Sequence, residues 1–238
     1  MSIHIVLQGK GGVGKSLVAA LLAQYLADSG TKLFCADTDP VNNTFSRYQS
    51  IGAKSIHVLN SDQEIDARIF DALIEELTEH DGEAVIDNGA ATFIPLAAYL
   101  SENGVVDLLH SYGKKVYIHT ILTGGQAMDD TLSGLVALLR SQPAEIVVWE
   151  NEFFGPVERD EKRFIDLDLY QSNKKRIKGI INIKRRSQST FGRDIELMVS
   201  NKFTFNDAMT SPLFSLMPRQ RLMTIKKDIF DQLIAAGL

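Results

Sequence analysis

Residues 9–16 read Gly-Lys-Gly-Gly-Val-Gly-Lys-Ser, set between an apolar run, Ile3–Leu7, and a Leu/Ala-rich stretch, Leu17–Ala27. This is G-x-x-x-x-G-K-S in a strand–loop–helix setting, and no other feature restricts the fold so strongly. Glycines let the backbone turn its N–H groups inward around a phosphate, and the N-terminus of the next helix adds a favourable dipole. The expected cradle is Gly9, Lys10, Gly11, Gly12, Val13, Gly14, Lys15, Ser16 and Leu17. Lys15 is placed to reach β- and γ-phosphates as a point charge, and the Ser16 hydroxyl to bind Mg²⁺.

Such a loop needs an open sheet to carry it, and the rest of the chain supplies one. Short apolar runs at Ile3–Leu7, Lys32–Ala36, Ser55–Leu59, Ala84–Ile86, Lys115–Leu122, Ile146–Trp149 and Arg176–Ile181 read as strands. Between them, Leu17–Ala27, Ala67–Leu77, Ala91–Leu100, Gln126–Arg140 and Arg221–Ile234 carry apolar residues at helical spacing. Near-continuous apolar strands mean a sheet covered on both faces. Regular alternation means a mostly parallel, twisted sheet built from right-handed crossovers and flanked by helices. No Pro- or Ser-rich tract divides the chain, so residues 1–238 are expected to form one α/β domain.

Ligands bind at the carboxyl ends of strands in open parallel sheets, and two acidic motifs fall there. Asp37-Thr38-Asp39-Pro40 closes the second strand, and Ala84-Val85-Ile86-Asp87 is an apolar strand ending in a carboxylate. Asp87 is a candidate to hold Mg²⁺ through a bound water. No N-K-x-D guanine-reading motif is present; Asn173-Lys174-Lys175-Arg176 puts Arg where the Asp belongs. ATP is therefore expected over GTP.

The second lysine, Lys10, completes K-G-G-x-G-K-[ST], and in this the chain resembles the ParA/MinD class of P-loop ATPases. The resemblance implies catalytic roles for Lys10, Lys15 and Asp39. Lys10 would cross to the phosphates of a second copy in an ATP-dependent homodimer. Asp39 would orient the attacking water and Asp37 would help hold Mg²⁺, although the division of labour between these two stays open. Asn151, after the strand ending at Trp149, would read adenine. Asn88-Gly89-Ala90-Ala91 departs from the proline-containing second switch of that class. Longer strings, among them Asp37-Thr38-Asp39-Pro40-Val41-Asn42, Val85-Ile86-Asp87-Asn88-Gly89-Ala90, Thr123-Gly124-Gly125-Gln126-Ala127 and Phe191-Gly192-Arg193-Asp194, are similar to the TraL family of conjugal transfer proteins of IncP-type plasmids. That narrower resemblance implies an accessory ATPase of plasmid DNA transfer, slow and partner-stimulated.

Composition excludes other classes. Apolar residues make up 45% and charged residues 23% of 238, the balance of a globular chain rather than a disordered one. One cysteine, Cys35, excludes an internal disulfide and a four-thiolate metal site in one chain. The five histidines show no metal-ligand spacing and read as packing or surface residues. No secretory leader or membrane-length apolar run appears, so a cytoplasmic location is expected. The net charge of −5 hides a basic segment, Asn173–Arg193, with eight Lys and Arg and no acid. That segment makes non-specific DNA a candidate partner, beside proteins of the transfer machinery. Arg219–Ile234 is basic and amphipathic at its start; packing on the sheet is favoured over a membrane contact. A non-hydrolysing adaptor, a partition-type ATPase and a small-molecule ligase on the same fold are the rival readings.

Overall fold

The computed structural model describes residues 1–60, 66 and 68–238. The opening apolar run forms β1 (Ser2–Val6), and the glycine loop leads into α1 (Lys15–Asp28). There follow β2 (Leu33–Asp37), β3 (Lys54–Ser55), α2 (Arg68–Glu79), β4 (Glu83–Asp87), α3 (Phe93–Glu102), α4 (Val105–Ser111), β5 (Lys115–Thr123), α5 (Met128–Ser141) and β6 (Glu145–Asn151). A small antiparallel hairpin, β7 (Glu158–Arg159) and β8 (Lys162–Arg163), precedes α6 (Asp168–Asn173) and β9 (Ile177–Ile183). Three helices close the chain: α7 (Arg193–Ser200), α8 (Phe205–Thr210) and α9 (Leu216–Ala235).

Seven strands form one sheet in the order β3-β2-β4-β1-β5-β6-β9, and every pairing in it is parallel. β1 sits centrally, with Ile5 opposite Ile86 on one side and Ile118 on the other. Alternate residues of a strand face opposite layers. Ile3 and Ile5 thus enter the core beneath α2 to α5, while Val6 joins the core beneath α1 and α7 to α9. The all-parallel sheet with both faces covered is the fold that the strand pattern predicts.

The seven predicted strands are all present, but the run expected at Ser55–Leu59 forms a ladder with β2 only at Lys54–Ser55, with an isolated bridge at Leu59. The helix expected from Ala67 is observed from Arg68; Ala67 lies outside the described residues. The last helix begins at Leu216, five residues before its predicted start. Pro218 falls in its first turn, where no intrahelical N–H bond is lost.

Polar residues are buried inside the sheet as well. Trp149 Nε1 donates to His119 Nδ1 at 3.0 Å, and the imidazoles of His119 and His4 meet at 2.9 Å. An indole N–H only donates, so neutral His119 carries its proton on Nε2 and donates a hydrogen bond to His4 Nδ1. His4 Nε2 then donates to Ser2 Oγ at 3.1 Å, and Ser2 Oγ donates to Glu83. The chain of bonds runs one way, from the core indole to a carboxylate at the amino end of the sheet. Burial pushes the pKa of both histidines down, which keeps them neutral.

The two edges differ from the middle. β3 is two residues long. On β9, the Gln232 side chain of α9 bonds the Asn182 backbone, accepting from its N at 2.7 Å and donating to its O at 3.1 Å. No helix among the described residues is long and apolar enough to cross a membrane.

Candidate functional site

The glycine loop lies beyond the end of β1 and opens into α1 through Gly14. Gly12 and Gly14 have φ of 75° and 103°, a region L side chains rarely adopt, so these two glycines are required by the turn itself. Gly9 is bare for another reason: a Cβ there would come within 2.9 Å of the Phe93 ring at the start of α3. Val13 is buried and Leu17 half-buried against the α1 layer, and Gly11 is open to solvent.

Lys15, the first residue of α1, is 8% exposed, and its Nζ donates to the Lys10 carbonyl at 2.9 Å. Burial lowers its pKa, opposed by the charges of Asp87 and Asp39. Asp87 ends β4 and is 1% exposed; burial pushes it up to about 7, opposed by a hydrogen bond from Ser16 and by Lys15, and reinforced by Asp37 and Asp39. Its Oδ1 finds no hydrogen-bond partner among the described residues. Asp37 ends β2, fully buried. Its carboxylate accepts from Asp39 N at 3.0 Å and Ser46 N at 2.9 Å, while burial raises its pKa. Three carboxylates thus lie within electrostatic reach of one buried lysine and one hydroxyl, although among the described residues no three acidic side chains converge closely enough to ligate a metal by themselves. An oxygen-rich pocket short of positive charge, with an orphaned carboxylate oxygen, fits a hard divalent cation such as Mg²⁺.

Asp39 caps its own loop. Oδ1 accepts from Val41 N at 2.9 Å and Asn42 N at 3.3 Å. Asn151 reaches the loop from the end of β6: its Nδ2 donates to Val13 O at 3.0 Å, and a Cβ on Gly14 would sit 3.1 Å from that nitrogen. Lys10 points away from Lys15 toward α5, where its Nζ meets Asp130 at 2.7 Å; both side chains are about half exposed. The structure therefore brings together Gly9 to Ser16, Asp37, Asp39, Asp87 and Asn151, and parks the Lys10 ammonium on Asp130.

Sequence reasoning missed several residues at this site. Gln8 is fully buried and donates to Ile121 O at 2.9 Å and Thr131 O at 3.1 Å, fastening the loop to β5 and α5. Gly134 of α5 makes room for it; a Cβ there would lie 2.2 Å from Gln8 Oε1. Asn88, Thr38 and Thr92 form a buried polar cluster between the two acidic motifs. The only sequence signal for these is polar residues in otherwise apolar strand ends.

The basic segment does not form one patch. Lys174, Lys175 and Lys178 lie at the amino end of β9 and Lys184, Arg185, Arg186 and Arg193 beyond its carboxyl end, with a strand of about 20 Å between. Arg176 donates to the Gln142 and Ala144 carbonyls, Lys184 and Arg186 pair with Asp228, and Arg186 stacks on Phe191.

The family model described as CobQ/CobB/MinD/ParA nucleotide binding domain matches residues 4–220. Two Escherichia coli proteins, each named Protein TraL, are 45% and 44% identical over 238 residues, covering 99% of this chain and 98% of theirs. Among solved structures, the MinD cell division protein of Aquifex aeolicus superposes with a TM-score of 0.53 at 16% identity, covering 99% of this chain and 97% of its own. The MinC:MinD cell division complex of the same organism gives 0.54 at 15% identity, covering 99% and 96%. The chain belongs to the CobQ/CobB/MinD/ParA nucleotide-binding family and, within it, to the family of the TraL proteins.

Proposed function

We propose that this chain is an ATP-binding and hydrolysing dimerisation switch that serves plasmid conjugal DNA transfer. The observation that carries the reading is the buried group of Asp37, Asp87 and Lys15, with Ser16 beside them, short of positive charge beneath a loop with two lysines. The near full-length likeness to TraL proteins supports the transfer role.

The loop amides of Gly11 to Ser16 would hold the triphosphate, with Leu17 behind them and Asn151 reading the base. Lys15 would neutralise β- and γ-phosphate oxygens. Ser16, Asp37 and Asp87 would hold Mg²⁺, which when bound draws charge from the transferring phosphoryl oxygens. Asp39 would orient water for in-line attack. Catalysis is then positioning plus charge stabilisation, with little covalent work for the protein. Lys10 completes the site of a second copy, and to do so it leaves Asp130. That pair is exposed, so its rupture costs about 1 kcal/mol or less. Proteins of the transfer machinery are the favoured partners of the dimer. The division of the basic segment argues against one continuous DNA-binding stripe.

Solution mass by light scattering, with ADP and with ATP and Mg²⁺, tests the switch. The expected result is a monomer with ADP and a dimer with ATP, lost in Lys10→Ala. A mass indifferent to nucleotide would replace the switch by a constitutive component of the transfer apparatus.

A further inference from the structure

Asp39 sits on a loop held by local bonds from Asp37 to Ser46, and that loop is also pinned from beneath. Thr38 N donates to Asp87 O at 2.9 Å, and Thr38 Oγ1 lies 3.1 Å from both Asp87 O and Asn88 Oδ1. The same Asn88 oxygen accepts from Thr92 Oγ1 at 2.6 Å, and Asn88 Nδ2 donates to Gly89 O at 3.0 Å. Thr38, Asn88 and Thr92 are each fully buried. One carboxamide therefore ties the strand end before Asp39 to the residue that opens α3.

Gly89 completes the arrangement. Its backbone is not in the left-handed region, so the turn does not need a glycine there. Space does: a Cβ would come within 2.8 Å of the Asp39 Cγ and Oδ1 and 3.0 Å of its Cα. The carboxylate is thus caught between the bare Cα of Gly89 and the Val41 and Asn42 amides.

We propose that Asn88, with Thr38, Thr92 and Gly89, is the positioning device for Asp39, setting where its carboxylate stands relative to Asp87 and gearing it to α3. The proposal rests on reading Asp39 as the residue that orients the attacking water. It gives the departure at Asn88-Gly89 a purpose: the amide couples the two acidic loops, and the glycine leaves room for the carboxylate. A group acting in a transition state loses much of its effect when displaced by about 1 Å. A group that only cements the fold does not discriminate between binding and turnover.

The test measures steady-state ATP turnover with Mg²⁺, binding of a fluorescent ATP analogue, and thermal melting, on the full chain. The variants are Gly89→Ala, Thr38→Val, Thr38→Ser and Asp39→Ala. Gly89→Ala removes no hydrogen-bonding atom from the buried hydroxyl–amide cluster, so it remains informative where Thr38→Val does not fold. Expected are a kcat lowered about ten- to a hundredfold in Gly89→Ala and Thr38→Val, with KM and analogue affinity changed less than about threefold. Thr38→Ser keeps the hydroxyl and the rate. Gly89→Ala adds nothing to Asp39→Ala, because both act through one carboxylate. Wild-type kcat in Gly89→Ala beside an impaired Asp39→Ala overturns the positioning role. So does a loss of analogue affinity that matches the loss of kcat. Wild-type turnover in Asp39→Ala overturns the reading of Asp39 itself, whatever Gly89→Ala does.

Discussion

Two groups of polar side chains are buried in the same sheet, and they are built on opposite rules. In the middle, Trp149, His119, His4 and Ser2 are linked by hydrogen bonds that run in one direction and end on Glu83. Its members are neutral apart from that terminal carboxylate, and burial holds the histidines so. At the carboxyl ends of β2 and β4, Asp37 and Asp87 are ionisable groups: Asp37 accepts from the Asp39 and Ser46 amides, Asp87 has Ser16 and Lys15 nearby, and Asp87 Oδ1 has no hydrogen-bond partner among the described residues. A buried network that satisfies itself rigidifies a core. One that leaves a desolvated carboxylate oxygen unpaired is waiting for something that carries positive charge.

The contrast can be broken at either end. Lys15→Ala and Asp87→Asn should have the largest effects, each lowering ATP turnover by about a hundredfold or more. The metal-free Asp87→Asn protein should melt no lower than wild type, since it loses a buried charge that Asp37 and Asp39 repel. A marked drop in its melting temperature would make Asp87 a structural residue. Trp149→Phe should do the reverse, destabilising by about 1–3 kcal/mol through the acceptor it strands on His119, while nucleotide affinity survives. Denaturant unfolding beside a binding titration separates the two.

Acid sharpens the comparison because the two regions respond with opposite sign. His4 and His119 have folded pKa values below that of the unfolded chain, so the unfolded chain gains protons as pH drops below about 6.5 and stability falls. Asp87 is raised to about 7, so the folded chain takes up a proton first and this contribution rises as pH falls from neutrality. In chelator, melting at pH 7.5 and 5.5 should therefore fall further in Asp87→Asn than in wild type, and less in His119→Gln. Equal slopes in all three proteins would show that neither region titrates. The smallest effect belongs to Asp130→Ala. Freeing Lys10 from an exposed ion pair should lower the ATP concentration that half-saturates dimer formation by no more than about fivefold. No shift at all would leave the pair without a part in the switch.

The sheet was legible because its strands are apolar on both faces, and the loop because its glycines and lysines are contiguous. β3 is shorter than its apolar run, since Ile56 and Val58 continue the run beyond the two-residue ladder with β2. α4 and α6 to α8 are six to eight residues long, too short to show a helical repeat. The partners that complete the site were illegible for a different reason. Asp130 meets Lys10 across 120 positions, Thr131 meets Gln8 across 123, and Asn88 meets Thr38 across 50. The folded sheet alone brings such residues into register. Gly134 and Gly89 could not be told from ordinary helix and turn glycines, because what they make room for is a side chain from elsewhere.

The Gln232 amide on the rim of β9 carries a consequence for assembly. At Asn182 the outward backbone donor and acceptor are both taken by a side chain of the same molecule. A second copy cannot zip onto that rung to extend the sheet, and among the described residues the opposite rim strand, β3, is two residues long. Growth by strand addition, the route toward fibres and runaway association, is hindered at that rung of one margin and given little purchase at the other. The proposed dimer of this chain therefore has reason to form through loops and helix ends rather than by extending the sheet.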